Sequence, residues 1–159
     1  SIAEDKGLLA LLFEEDFRRT LSRDDGEFID GHVLRTARLT EGEMTWFGER
    51  TNSKTLLANG RDRLVIKPAN EGRGFEVAVG PFADAKSWEE ASRLRGDLPK
   101  VVQQYAPLAR LPVRGESCFL TLGLFVLDGK MQGILSRVAP NPITNVSLGG
   151  SVQGVLIVE

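Results

Sequence analysis

The amino-acid sequence predicts an α+β fold, a mostly antiparallel sheet flanked by a few helices. Three observations lead there. Apolar residues recur at helical spacing near the start (Leu8, Leu9, Leu11, Leu12, Phe13, Phe17) and in two short later stretches. Elsewhere, short apolar runs end at Gly or Pro, as strands do. Near the end, Asp128-Gly129 separates two long apolar runs, a strong local signal for a two-residue hairpin.

Taken in order, Ala3 to about Leu21 reads as one amphipathic helix or two short ones. Asp24-Asp25-Gly26 signals a turn, and His32, after Asp30-Gly31, sits on another. Residues 32–39 are extended, with a hairpin through Glu41-Gly42. Thr51 to Ala58 is a short helix, ended by Asn59-Gly60 as a left-handed terminator. Leu64-Val65-Ile66 is a buried strand stopped by Pro68. A polar loop from Ala69 to Gly74 leads to a strand through Phe75–Val79. A helix to about Leu94 follows, opened by a capping box at Ser87-Trp88-Glu89-Glu90. Val101–Tyr105 is a strand whose exit is made irregular by Pro107 and Pro112. Cys118–Leu127 and Lys130–Val138 form the hairpin, with Phe119, Phe125 and Leu127 on one core face, and Gln153–Val158 is the last strand. Residues 1–60 are expected to be a helical and mixed segment packing on the sheet of residues 61–159, in one domain of a longer protein.

Composition narrows the function classes. The chain has 159 residues, 42% apolar and 26% charged, which is the profile of a globular protein. A formal charge of −2 argues against nucleic-acid or anionic-membrane partners, which call for a basic surface. No apolar run is long enough to span a bilayer, and the first residues lack a signal-peptide layout, so a cytoplasmic location is expected. The start at Ser1 implies a processed, truncated or tagged terminus. Cys118, the single cysteine, sits in an apolar stretch and reads as a buried thiol, and His32 has no second His or Cys for a zinc site. Trp46 and Trp88 are packing residues, and Glu14-Glu15-Asp16 is a solvated face.

Three places carry chemistry. Lys67 closes a strand just before the Gly-bearing loop Glu71-Gly72-Arg73-Gly74, where a cation and a flexible backbone can hold a polyphosphate. Gln103, Gln104 and Tyr105 end a strand that runs into a proline-broken segment, where backbone groups can meet a purine edge. Arg137 offers a planar fork of donors for phosphate oxygens, ahead of Asn145 and the Gly149-Gly150 pair. Each alone also fits a solvated strand end or an ordinary turn. Their order is the informative part.

That order resembles the ATP-grasp superfamily, and more narrowly the C-terminal part of circularly permuted ATP-grasp proteins. The likeness extends to Asp5-Lys6-Gly7-Leu8 and covers nearly the whole chain, being most specific at Leu64–Pro68, Val101–Tyr105 and Gly133–Gly150. It implies the ATP-binding portion of a carboxylate–amine or carboxylate–thiol ligase working through an acyl-phosphate. Lys67 would contact ATP phosphates, with Glu71, Gly72, Arg73 and Gly74 in the covering loop. Gln103, Gln104 and Tyr105 would read adenine through backbone groups. Arg137 would steady the γ-phosphate or the acyl-phosphate, and Asn145 would line the reaction site. The implied cofactors are ATP and Mg²⁺, and the implied substrate is a small carboxylate or peptide. The metal ligands are expected outside this chain, in an N-terminal portion or a partner chain, so the chain alone is expected to be inactive. Relatives carry Gly-Gly-Lys-Gly where this loop has Arg73-Gly74-Phe75-Glu76, Asp at Thr121, Glu at Gln104, and Pro-Trp-Thr-Arg at Leu34-Arg35-Thr36-Ala37. These departures imply an alternative, a degenerate, non-catalytic ATP-grasp-like module for nucleotide sensing or protein interaction.

Overall fold

A computed structural model describes residues 4–157 apart from Arg73, Phe75 and Asp97, and it is α+β with antiparallel sheets. The chain divides into two compact units, Ser1–Ala106 and Pro107–Glu159, so residues 1–60 share a unit with residues 61–106.

The first unit opens with two short helices, α1 (Gly7–Leu11) and α2 (Glu15–Arg18). Glu14, Glu15 and Asp16 are exposed, as expected of a solvated face. Asp24-Asp25-Gly26 is not a turn. It lies inside helix α3 (Arg23–His32), whose last residue is His32. The reason is Ser22, whose hydroxyl oxygen accepts the Asp25 N–H (3.1 Å) and whose hydroxyl donates to the Asp25 carboxylate (2.6 Å). Asp24 and Asp25 then become favourable first-turn acids beside the helix N-terminus. Ser22→Ala is therefore expected to destabilise the protein by about 1 kcal/mol, with loss of helical circular dichroism. Unchanged urea midpoints would show that this cap is dispensable.

Strand β1 (Thr36–Arg38) follows, then the hairpin of β2 (Glu43–Trp46) and β3 (Glu49–Asn52). The hairpin turns at Phe47-Gly48 (φ 50° and 81°) rather than at Glu41-Gly42. Gly42 instead lies just before β2, and its carbonyl accepts the Ser53 N–H (3.1 Å). Asn52 caps α4 (Ser53–Gly60), which includes Asn59 and Gly60. Gly60 has φ −104°, so it is no left-handed terminator, and the chain runs directly into a 3-10 turn at Arg61–Arg63.

Strand β4 (Leu64–Pro68) pairs with β5, which spans only Ala78–Val79. The expected strand from Phe75 is cut short because Gly74 (φ 74°) and Glu76 (φ 51°) are left-handed, and Phe75 itself lies outside the described residues. Helix α5 (Ala85–Ser92) is capped by Asp84, with Ser87 donating its N–H (2.7 Å), so Ser87 is the partner of the cap. That N–H holds the Asp84 carboxyl below its usual range. The helix stops at Ser92, short of Leu94, and the buried Lys100 ammonium donates to the carbonyls of Ala91 (2.8 Å) and Arg93 (2.9 Å). Strand β6 (Lys100–Gln104) lies between β1 and β4, giving the order β1-β6-β4-β5. Its core side pairs Ile66 with Val102, both fully buried, against Leu57, Leu64, Trp88 and Ala91. Trp88 donates its indole N–H to the Leu57 carbonyl (3.3 Å), fixing α5 on α4.

The second unit is a meander of β7 (Ala109–Val113), β8 (Glu116–Leu127), β9 (Lys130–Ala139) and β10 (Ser151–Gln153). Its strand order is β10-β9-β8-β7. Pro112 is inside β7 because that strand is an edge, where a missing N–H costs nothing. Asp128 (φ 51°) and Gly129 (φ 68°) make the hairpin turn as expected. Cys118 and Phe119 are buried, but Phe125 and Leu127 are not core, being 56% and 71% exposed. Every residue from Leu124 to Leu127 is exposed, so both faces of the hairpin end are apolar and open. The last strand is Ser151–Gln153 rather than Gln153–Val158, and Val158 lies outside the described residues.

Candidate functional site

In the first unit, Lys67 and Gln103 sit on neighbouring strands. Val65 lies opposite Gln103 and Lys67 opposite Val101, so Lys67 and Gln103 are diagonal neighbours on one sheet face. The Lys67 ammonium donates to Gln103 Oε1 at 2.5 Å, and Gln103 Nε2 donates to the buried Thr36 hydroxyl at 2.8 Å. Thr36 passes its own proton to the Leu34 carbonyl (2.9 Å). The ammonium is thus held by a neutral chain of side chains across β4, β6 and β1. Burial pushes the Lys67 pKa below its ordinary value, and the Lys6 charge pushes it further the same way.

Lys6, immediately before α1, escaped the sequence reading as a functional residue. Its ammonium donates to the Glu71 carbonyl (2.6 Å) and its backbone N–H to the Ala69 carbonyl (2.7 Å). It thereby ties the N-terminal segment to the loop after Lys67. The signal available in the sequence was only its place in Asp5-Lys6-Gly7. In that loop Glu71 and Gly72 are exposed and Gly74 is left-handed, while Arg73 lies outside the described residues.

Gln104 and Tyr105 are placed differently. The Gln104 N–H donates to the Arg35 carbonyl (2.8 Å) and the Tyr105 N–H to the Arg63 carbonyl (2.8 Å). Both N–H groups are therefore committed inside the unit. Gln104 and Tyr105 line a cleft of about 600 Å³ with Trp46, Phe47, Arg63 and Leu64. The Tyr105 ring meets Phe82 edge-on, with centroids 6.2 Å apart.

In the second unit, Arg137 on β9 stands opposite Thr121 on β8. The Thr121 and Thr144 hydroxyls share a hydrogen bond of 2.6 Å, and Asn145 follows Thr144 directly. Arg137 and Asn145 are thus linked through a threonine pair. The Arg137 side chain is exposed. Asn145 Oδ1 accepts the Ser147 N–H (3.2 Å), capping a 3-10 turn at Val146–Leu148, and its amide NH₂ makes no hydrogen bond among the described residues. Gly149 is left-handed (φ 88°) and Gly150 donates its N–H to the Asn145 carbonyl (2.9 Å). A Cβ on Gly150 would lie 2.8 Å from that carbonyl oxygen, so the glycine is required for this turn to close.

Among the described residues, no three His, Cys, Asp or Glu side chains group as metal ligands would, and no helix is long and apolar enough to cross a membrane. No protein-family model matches this chain, and no curated protein matches it in sequence.

Proposed function

We propose that this chain is the ATP-binding portion of an ATP-grasp-like carboxylate–amine or carboxylate–thiol ligase of the cytoplasm, completed by an N-terminal portion or a partner chain. The observation that carries the proposal is Lys67. Its half-buried ammonium is held by a neutral amide at the end of β4, and Lys6 adds a second positive charge that disfavours its protonated form. Among the described residues no carboxylate bonds to Lys67, and a polyphosphate would offset the two cations.

In this role Lys67 and Lys6 neutralise phosphate oxygens, and the Glu71–Gly74 segment covers them. In the second unit taken by itself, Arg137 offers a guanidinium and Asn145 an amide NH₂, donors of the kind that phosphoryl transfer uses. Because the Gln104 and Tyr105 N–H groups are committed to Arg35 and Arg63, the purine edge meets groups other than these two. ATP supplies the phosphoryl group that turns a small carboxylate or peptide carboxyl into an acyl-phosphate. The magnesium ligands would come from outside this chain, from the N-terminal portion or the partner chain that completes it.

Calorimetric titration of the 159-residue chain with ATP is expected to show binding that Lys67→Ala weakens about tenfold or more. The complete protein, given magnesium and its acid substrate, is expected to hydrolyse ATP, and Lys67→Ala to abolish this. Equal ATP hydrolysis by the Lys67→Ala protein would end the proposal.

A second role, a non-catalytic nucleotide sensor or protein-interaction module, draws support from the hairpin end of β8 and β9. There Leu122, Leu124, Phe125, Val126, Leu127 and Met131 are all more than half exposed. An apolar surface of that extent marks a protein contact. The complete protein separates the two roles, since a sensor binds ATP without turning it over.

A further inference from the structure

Arg35, on the residue before β1, has a guanidinium that the fold leaves without a hydrogen-bonding or ionic partner among the described residues. Its Nε–H is buried and meets no acceptor. Its neighbours are rings instead, with the guanidinium carbon 4.6 Å from the Phe13 centroid and 5.7 Å from that of Phe47. The nearby charges are already committed to one another. Arg18 pairs with Asp30 at 2.6 Å and also donates to the Gly26 carbonyl (3.2 Å). Burial lowers the Arg35 pKa, Asp30 raises it and Arg18 lowers it again, as expected for a cation short of a counter-ion.

Arg35 opens onto a cleft of about 710 Å³ walled by α1, α2, β1 and β2, with Phe13, Ala37 and Met44 as its apolar lining. Phe47, which lines the cleft of Gln104 and Tyr105, also brings its ring to the Arg35 guanidinium. It sits at φ 50° in the turn between β2 and β3, yet it is 59% exposed. Asn or Asp fits that left-handed position more cheaply than a bulky ring does. Strain of this kind collects where a side chain is needed for contact. Here the ring lies near a guanidinium that has no ion-pair partner among the described residues.

We propose that this cleft binds an organic carboxylate with an apolar, aromatic body, Arg35 pairing the carboxylate and Phe13 and Met44 holding the body. The planar fork of Arg35 matches a carboxylate in two-pronged fashion. A phosphate dianion fits less well. Of the guanidinium groups on the wall, only that of Arg35 lacks an ion-pair partner among the described residues, and Glu14, Glu15 and Glu43 repel two negative charges more than the single charge of a carboxylate. The site is independent of the ligase role, since neither Lys67 nor Arg137 belongs to it.

Titration of the 159-residue chain with 3-phenylpropionate, followed by backbone amide NMR and calorimetry, tests the site. Saturable shifts are expected at residues 35–38 and 43–48. Arg35→Met, which keeps the buried stem, is expected to weaken binding about tenfold or more, and Arg35→Lys, which keeps the charge without the fork, by less. On the unmodified chain, the uncharged 3-phenylpropanamide is expected to bind about tenfold more weakly, which decides the point even where Arg35→Met does not fold. Inorganic phosphate is expected to leave these resonances unmoved. No saturable shift with 3-phenylpropionate, equal binding of its amide, equal binding to Arg35→Met, or displacement by phosphate at equal concentration would each overturn the proposal.

Discussion

Gly80→Ala is expected to unfold the first unit or come close to it. The Gly80 N–H donates to the Leu64 carbonyl (2.9 Å), and its own carbonyl accepts Arg61 Nε (3.2 Å), so the residue locks the end of β5 against the start of β4. Arg61 also donates through Nη2 to the Ala83 carbonyl. A Cβ on Gly80 would lie 1.8 Å from the Arg61 carbonyl oxygen and 2.8 Å from that of Leu64. Both obstacles are backbone, so no rotamer change relieves them. The chain must give up these hydrogen bonds, and with them the seating of Leu64 in the core. A loss of about 4 kcal/mol or more follows, a large share of the roughly 5–15 kcal/mol that holds a domain. Urea denaturation followed by tryptophan fluorescence measures it, since Trp88 is in the affected core. Gly72→Ala is the contrast, because a Cβ there meets nothing within 4 Å. It is expected to stay within about 0.5 kcal/mol. Equal behaviour of the two variants would refute this account of Gly80.

Gln103→Leu is expected to cost about 2–4 kcal/mol near neutral pH, with a pH dependence that identifies its cause. The leucine keeps the bulk of the buried side chain but removes the acceptor of Lys67 and the donor to Thr36. Lys67 already titrates below its ordinary 10.5 in the folded protein, chiefly through burial. Between that lowered value and 10.5 the unfolded chain binds the extra proton, so stability rises with pH across this window. Without the Gln103 oxygen the folded pKa falls further, and the rise begins at lower pH. The deficit of Gln103→Leu against the unmodified protein should therefore shrink as the pH rises from neutrality towards 10.5. Gln103→Glu should act oppositely, since a carboxylate beside the ammonium raises its pKa. A deficit that stays constant over this range would mean that Gln103 has no part in holding the Lys67 charge.

The elements legible in the sequence were those with purely local signals. Leu64–Ile66, Val101–Tyr105 and the hairpin at Asp128-Gly129 read as strands with clear stops, and strands form there, at Leu64–Pro68, Lys100–Gln104 and on both sides of the hairpin turn, with Tyr105 just outside. Asp24-Asp25-Gly26 misled because two acids and a glycine suit a turn and a helix first turn equally. The cap at Ser22 decides between them. Phe125 and Leu127 misled for another reason. Where every residue from Leu124 to Leu127 is apolar, alternation cannot tell an inner face from an outer one. At the candidate site, Lys67 and Gln103 were each visible as polar residues at strand ends. Their meeting depends on the register of β4 against β6, which no local pattern encodes. The cap that Asn145 makes on Ser147 and the isolation of Arg35 likewise follow from tertiary placement.

The strand order β1-β6-β4-β5 has a consequence in time. Thr36 in β1 and Gln103 in β6 are bonded across 67 residues, and β4 also waits for β6. A ribosome adding about 5–20 residues per second takes roughly 3 to 13 s to cover that interval. For roughly the last 2 to 8 s of that interval Leu64, Val65 and Ile66 are made but lack their central partner strand. The second unit has no such delay, because each of its strands pairs with its nearest neighbour in sequence. Nascent chains in which residues up to 100 have not all emerged from the ribosome should therefore engage holding chaperones and resist folding, and emergence of Gln104 should release them.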